Sequence, residues 1–323
     1  MPSRYPQFDR SRLSLQPLNE RRHDLDLRAI MGLEPVPVDN DDFSAIAKRL
    51  ESARQNGNSR ILMMGAHVLR CGVQRYIIDL MERGYISCVA MNGAGVIHDF
   101  EFAAIGATTE SVAHYIRDGR FGLWRETSRI NDIINGAARR QLGLGEAVGA
   151  TIAGEKFPHR EISVLAAAWR LNIPVTVHVG IGYDIIHEMP NCDGAALGAT
   201  SYRDFLIFAG VVENLEGGVI LNFGSAVMGP EVYLKALAMG RNVAAQQGKE
   251  IRHFTSVVGD LAPLPADYAQ TPNKDNPMYY FRPWKTILVR TVADGGESFY
   301  IQGSHNKTIP GLWTKLRDKK EIR

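Results

Sequence analysis

The chain has 323 residues, of which 45% are hydrophobic and 22% are charged, and its formal net charge is +2. These values suit a soluble globular protein with a large core, of one or two domains. A charge so close to neutral gives no reason to expect a nucleic-acid partner.

Cysteine usage and hydropathy narrow the cellular setting. The three cysteines, Cys71, Cys88 and Cys192, form neither a CxxC pair nor a metal-ligand spacing, and no His/Cys pattern typical of a metal site occurs. An odd, sparse set predicts free thiols in a reducing compartment. The N-terminus has no apolar core of a signal peptide, and no apolar run reaches about 18 residues. We therefore expect a cytoplasmic protein with no membrane span and no metal.

The first part of the chain differs from the rest. Residues 1–40 are polar and contain five prolines, which predicts an arm with at most one short helix. No repeat or linker divides residues 41–323, so we expect them to form a single domain. The Pro-rich segment 262–278 is long for a connection, which favours a functional loop or an oligomer contact.

Apolar runs alternate with helical patterns along this domain. Helices are predicted at 41–57, 72–84, 161–172, 202–217 and 229–245. Strands are predicted at 60–66, 85–95, 173–182, 218–226, 250–260 and 285–296. This alternation predicts an α/β, Rossmann-like, doubly wound fold, with a mostly parallel sheet and helices on both faces.

The ends of the predicted strands are rich in small and polar residues. Ligands of open α/β sheets lie outside the carboxyl ends of the strands, where glycines allow close approach and helix N-termini bind phosphate. The strand-end segments are 63–67, 91–95, 179–184, 222–226, 255–260 and 292–296. A single glycine there is more often only a turn, and no GxGxxG fingerprint occurs, but six such ends favour a dinucleotide site.

Several polar side chains stand at these predicted ends. Asp184, Asp260 and Asp294 are each expected to close a strand, where a carboxylate could hold ribose hydroxyls or bind the ammonium of a polyamine. Capping or turn formation is the more common role for a single Asp. His98, beside Asp99, could bond a ligand, although such a pair is more often structural.

Lys285 is expected to open the last strand, directly after Trp284. Burial against the aromatic residues 279–281 would disfavour the ammonium, and a neutral lysine amine can form an imine with an electrophilic carbon. The same aromatics could hold a cationic amine. The more common alternative is a polar first residue of a packed strand.

Six short motifs together resemble the deoxyhypusine synthase family over about residues 60–300. They are MNGAGVIHDFE, NIPVTVHVGIGYDII, GGVILNFGSAVMGPE, FTSVVGD, RPWKTI and VADGGES. The resemblance implies a Rossmann-like fold and a homotetramer with NAD at subunit interfaces. It also implies a reaction in which an aminobutyl group moves from a polyamine to an acceptor amine through a lysine imine.

The resemblance assigns a role to individual residues. It makes Lys285 the nucleophile, packs Trp284 on the aminobutyl chain and places Asp184 on the amine, with Glu231 where the family has a histidine. The residues it places along NAD are Asn92, Gly93, Ala94, His98, Gly224, Ser225, Thr255, Asp260, Asp294 and Gly295.

Departures from the family pattern concern the amine site. The family's Trp-Gly-Lys is replaced by Pro-Trp-Lys, and aromatic residues 279–281 replace an acidic segment. We therefore expect a deoxyhypusine synthase-like, NAD-dependent aminoalkyl transferase acting on a different amine or acceptor, which could include a protein acceptor. The alternatives are a homospermidine synthase-type or other NAD-linked amine-converting enzyme, or a catalytically silent oligomer that binds NAD or a polyamine.

Overall fold

The structure is a computed structural model that describes residues 3–317; residues 1–2 and 318–323, at the ends of the predicted arm and domain, lie outside the described part. The strands are β1 (His23–Asp26), β2 (Arg60–Met64), β3 (Cys88–Asn92), β4 (Ala107–Glu110), β5 (Val175–His178), β6 (Val219–Phe223), β7 (Thr255–Asp260) and β8 (Glu297–Gln302). The α-helices are α1 (Asp42–Gln55), α2 (Ala66–Arg70), α3 (Gln74–Glu82), α4 (Gly93–Ile105), α5 (Val112–Tyr115), α6 (Arg125–Arg140), α7 (Leu144–Gly154), α8 (Val164–Arg170), α9 (Gly194–Val212), α10 (Met228–Gln246) and α11 (His305–Arg317).

Six strands form one parallel sheet in the order β5-β3-β2-β6-β7-β8. The chain starts in the middle with β2, moves outward to β5, returns to β6 beside β2, and then moves outward the other way. This is the doubly wound order of a Rossmann-like sheet. The predicted fold class is therefore confirmed.

Alternate residues of each inner strand pack on opposite faces of the sheet. In β2, Leu62 and Met64 join a large core under α1, α3, α4, α8 and α11, whereas Ile61 and Met63 join a second core under α9 and α10. Because helices cover both faces, the inner strands are mostly apolar and do not alternate regularly with polar residues. The same burial accounts for the apolar runs from which most of the strands were predicted.

The last predicted strand is wrong. Pro283–Arg290 forms a π-helix, and the sixth strand of the sheet is β8, which begins two residues after Gly295. In this helix Trp284, Ile287 and Leu288 are buried, a spacing of three and four residues that suits one helical face. A short apolar run of this kind does not distinguish a buried strand from a buried helix by periodicity.

The arm contains three short 3₁₀ turns and strand β1, which pairs antiparallel with β4. A buried salt bridge attaches it to α4: the Arg21 guanidinium donates to both carboxylate oxygens of Glu101, at 2.9 and 2.7 Å. Both side chains are 1% exposed. The division into an arm, residues 1–40, and a single domain stays a prediction.

Of the helices in residues 3–317, α9 alone is long and apolar enough to cross a membrane by length and composition. It packs against β5, α6 and α10, and its Phe208, Ala209 and Val212 belong to the second core. This packing accounts for part of the apolar composition of the helix, of which 39% is buried.

Candidate functional site

A cleft of about 440 Å³ opens at the carboxyl edge of the sheet. It lies where the chain direction reverses between β2 and β6, which is where ligands of doubly wound proteins bind. The cleft is lined by residues 65–66 after β2, 92 at the end of β3, 178–184 after β5, and 224–228 between β6 and α10. Of the predicted site residues, Asn92, Asp184, Gly224 and Ser225 meet here.

Two glycines let the central loops approach each other. A Cβ on Gly65 would lie 2.0 Å from the backbone oxygen of Gly224, a separation that no real side chain tolerates. Gly224 itself has a φ of +62°, in the left-handed region that favours glycine. The floor of the cleft is therefore bare backbone, which a flat or phosphate-bearing ligand can approach closely.

The first turn of α10 faces this floor. The Ser225 hydroxyl accepts the N–H of Gly229 at 2.8 Å, and Asn222 donates to the Ser225 carbonyl at 3.0 Å, so the turn is fixed in place. Val227, which precedes the helix, supplies no side-chain cap. The 19-residue α10 therefore presents its positive end to the cleft, and we expect phosphate there instead of at the short α2 after β2.

Asp184 is the buried carboxylate of the cleft. Its side chain is 6% exposed and accepts the N–H of Ala94 at the first turn of α4. A Cβ on Gly93 would lie 2.1 Å from Asp184 Oδ2, so the glycine makes room for the carboxylate. Burial raises the pKa of Asp184 to about 6, against the opposing effect of the Ala94 hydrogen bond. At neutral pH the group is mostly ionised and can bind a cation or accept a proton.

A second cavity of about 190 Å³ lies behind Asp184 and shares Tyr183 and Asp184 with the cleft. His98 lines this cavity and not the cleft. Its Nδ1 lies 2.8 Å from the Thr108 hydroxyl, and burial lowers its pKa to about 4. A neutral, hydrogen-bonded His98 thus lies one cavity away from its predicted place along the cofactor.

Thr255, Asp294 and Gly295, which were predicted to contact the cofactor, do not line the cleft. Thr255 is the first residue of β7 and bonds Glu297 of β8 at 2.7 Å, while Asp294 and Gly295 precede β8. All three therefore lie at the amino edge of the sheet, opposite the cleft. Asp260 does end β7, but its carboxylate accepts the Ala262 N–H at 3.1 Å and is not part of the cleft lining.

Lys285 and its predicted partners form a separate group beside the first turn of α10. Lys285 is 5% exposed, and its Nζ lies 3.9 Å from the centre of the Tyr279 ring. Glu231 pairs with Lys235 and, at 3.0 Å, with Arg282. None of these residues lines the cleft that contains Asp184.

Trp284 serves the core in place of its predicted contact with a substrate chain. Its indole N–H donates to the backbone oxygen of Tyr268 at 2.8 Å, and its ring belongs to the core under α9 and α10. This bond fastens the long loop 261–276, predicted as a functional loop, to the helix that follows it.

Two histidines near the cleft were missed from the sequence. His187 lies 3.9 Å from Asp184, with Nε2 facing Oδ2, and its spacing of three residues from Asp184 was a usable signal. His305 begins α11 and packs behind Gly224, where a Cβ on that glycine would meet its Nε2 at 2.5 Å. No local pattern relates His305 to residues 81 positions earlier.

Comparison with known proteins supports the fold. No protein-family model matches the chain, and no curated protein matches its sequence. Among solved structures, ArgZ, an arginine dihydrolase from Cyanobacteria, has 16% identity and a TM-score of 0.50 over 88% of this chain. AgrE in complex with ornithine and NAD+ has 15% identity and a TM-score of 0.50 over 87% of this chain. The chain spans about a third, 34%, of each of those two proteins.

A third match is closer in length. A LOR/SDH protein from Methanococcus maripaludis has 14% identity and a TM-score of 0.50, over 88% of this chain and 71% of that one. A deoxyhypusine synthase from Entamoeba histolytica covers 89% of this chain and 91% of its own, at 8% identity and a TM-score of 0.42, which is too low to support the family resemblance.

The strand order and the switch-point cleft define the chain as a Rossmann-like α/β protein. Its structural neighbours include enzymes, one of them with NAD+ bound, and the relation to each of them is one of fold alone.

Proposed function

We propose that the chain is an NAD-linked enzyme that converts an amine. The observation that carries this proposal is the cleft at the β2–β6 switch point, which combines the N-terminus of α10 with the buried carboxylate of Asp184. The AgrE complex, in which a protein of this fold holds both NAD+ and ornithine, supports the pairing of this cofactor with an amine.

The residues that line the cleft fit a dinucleotide, although no Lys or Arg is among them. The α10 N-terminus, with Ser225 in its turn, would face the pyrophosphate, and the bare backbone at Gly65 and Gly224 would admit it. Asn92 lines the cleft at the end of β3, where Rossmann proteins hold the ribose hydroxyls. When bound, NAD accepts a hydride from the carbon that carries the amine.

Asp184 would handle the charge and the proton of the amine. An ammonium must lose one proton before the neighbouring carbon can release hydride, and the product is then an iminium. A carboxylate with a raised pKa is a stronger base than an ordinary one, and its burial strengthens its attraction for a cation. The Ala94 N–H holds the carboxylate in place for both tasks.

NAD is expected to raise the melting temperature of the protein. At 100 times Kd, a ligand of the folded state adds about 2.7 kcal/mol, which differential scanning fluorimetry detects as a shift of several degrees. Gly65→Ala should abolish this shift and cost about 1–3 kcal/mol by overpacking the two loops. Gly198→Ala, on α9 where the added Cβ meets open space, should keep the NAD-dependent shift. It should raise the free energy of unfolding by about 0.5–1 kcal/mol.

Amine conversion is assayed with the wild-type protein, NAD and spermidine, putrescine, agmatine or ornithine, by the absorbance of NADH. The absence of an NAD-dependent shift, or an equal shift in Gly65→Ala, would contradict the dinucleotide site. An NAD-dependent shift in melting temperature without formation of NADH from any of these amines would contradict amine conversion but not the dinucleotide site.

A second candidate function is aminoalkyl transfer through Lys285. Its support is the burial of the lysine over the Tyr279 ring. The neighbouring carboxylate of Glu231 is paired with Lys235 and Arg282, and it also interacts with Lys285. In this reaction the Lys285 amine displaces the leaving amine of the oxidised donor and forms a lysine imine. The acceptor amine then displaces Lys285 and forms an imine of the acceptor, which bound NADH would reduce.

Borohydride trapping tests this route. Incubation with NAD and spermidine should give a stable mass adduct on Lys285, absent from Lys285→Arg and unaffected by Lys235→Arg, which changes an exposed lysine. Full turnover by Lys285→Ala would rule out the covalent route while leaving amine oxidation in the cleft intact.

The assembly and the acceptor remain part of the proposal. A homotetramer is supported by apolar side chains exposed on α9 and α10, including Tyr202 at 63% and Met239 at 41%. A small amine or a protein lysine as acceptor, and a cytoplasmic location, stay predictions.

A further inference from the structure

His187 is a buried histidine whose two ring nitrogens face different parts of the site. Its side chain is 5% exposed, and it lies on the single 3₁₀ turn Ile185–His187 that follows Asp184. Tyr183 and Asp184, which precede this turn, line both the cleft and the second cavity.

One ring nitrogen holds the turn. His187 Nδ1 accepts the backbone N–H of Gly182 at 3.1 Å and that of Asp184 at 3.2 Å. Because both partners are donors, Nδ1 carries no proton. In a neutral imidazole the proton is then on Nε2, and burial lowers the pKa of His187 and favours the neutral form.

The other ring nitrogen faces the carboxylate. His187 Nε2 lies 3.9 Å from Asp184 Oδ2, and within residues 3–317 it has no hydrogen-bond partner. A buried donor without a partner is destabilising, so a small movement of Asp184 toward it is favoured. The Ala94 N–H and the His187 Nε2–H thus approach the same carboxylate from two elements.

We infer that His187 is a positioning residue for Asp184: its Nδ1 fixes the turn, and its Nε2–H orients the carboxylate toward the cleft. This inference rests on the proposed role of Asp184. It adds a specific task for a side chain that does not itself line the cleft.

Two substitutions separate the tasks of the two nitrogens. In His187→Asn the amide oxygen takes the place of Nδ1 and keeps the turn bonds, but the donor toward Asp184 is lost. In His187→Gln the amide nitrogen takes the place of Nε2 and keeps that donor. The other titratable groups around Asp184, namely His178 in the cleft and Arg21, His98, Glu101, Glu110 and Tyr183 in the second cavity, are unchanged in both variants.

The measurement is a ¹³Cγ NMR titration of Asp184 in aspartate-labelled protein, without NAD or amine. Loss of a donor that stabilises the carboxylate should raise the proton affinity of Asp184 about threefold to tenfold in His187→Asn. The change should be clearly smaller in His187→Gln, which keeps that donor but loses the two turn bonds. Long-range ¹H–¹⁵N spectra should show the wild-type proton on Nε2.

An unchanged Asp184 titration in His187→Asn, a shift of equal size in both variants, or a proton on Nδ1 would each overturn the inference. A purely structural role gives the reverse pattern, in which only His187→Gln is perturbed. Because no cofactor or substrate is present, failure of the proposed enzyme activity would leave this result unaffected.

Discussion

Asp184→Asn is expected to lower kcat/KM for the amine by about 10²- to 10⁴-fold, the range typical of a lost general base. The amide is nearly isosteric and can still accept the Ala94 N–H, but it carries no charge and takes up no proton. The NAD-dependent rise in melting temperature should persist, because the α10 N-terminus is untouched. NADH formation and scanning fluorimetry measure the two effects separately.

Asp193→Asn is the matched control for this change. Asp193 caps α9 by accepting the N–H groups of Ala195 and Ala196, and asparagine caps a helix equally well. Its kcat/KM should stay at the wild-type level. A comparable loss in both variants, or full activity in Asp184→Asn, would contradict the assigned role of Asp184.

The pH profile supplies a further measure of Asp184. The ionised carboxylate is the active form, and its pKa is raised to about 6 by burial. Wild-type kcat/KM should therefore be at its full value above that pH and fall as the pH decreases through about 6. The residual activity of Asp184→Asn should lack this limb.

Arg21→Leu is expected to destabilise the protein by about 3–5 kcal/mol, because it leaves the Glu101 carboxylate buried without its cation. Glu101 also accepts the hydroxyls of Thr108 and Thr127, both at 2.7 Å, so the whole network between the arm, β4 and α6 depends on its charge being balanced. Urea denaturation measures the loss.

Arg28→Leu removes an arginine of the same arm and serves as the control. The Arg28 side chain is 92% exposed and pairs with Asp26 at the surface, and such pairs contribute about 0–1 kcal/mol. Equal stability of the two variants would show that the Arg21–Glu101 pair does not hold the arm to α4.

Local pattern was sufficient for most of the sheet. The strands β2, β3, β5, β6 and β7 fall inside their predicted segments, because each is a short apolar run bounded by turn residues. The run 285–290 has the same composition and is helical. Its Ile287 and Leu288 pack under the sheet as part of the crossover between β7 and β8, and tertiary packing of this kind overrides local β-propensity.

The prediction of the site depended on which strands were predicted correctly. Asn92, Asp184, Gly224 and Ser225 line the cleft, and each follows or ends a strand that was predicted correctly. Asp294 and Gly295 were assigned to the wrong edge because the last strand was placed before them instead of after them.

The sequence by itself determined the parallel sheet, its burial on both faces and the glycine-rich strand ends, since these follow from composition and periodicity over a few residues. Only the tertiary structure decided which side chains that are distant in sequence lie next to one another. It joins Arg21 to Glu101, sets Gly65 against Gly224 and excludes Lys285 from the cleft of Asp184. These relations link residues far apart in the chain, and they arise from strand order and packing, which no local pattern encodes.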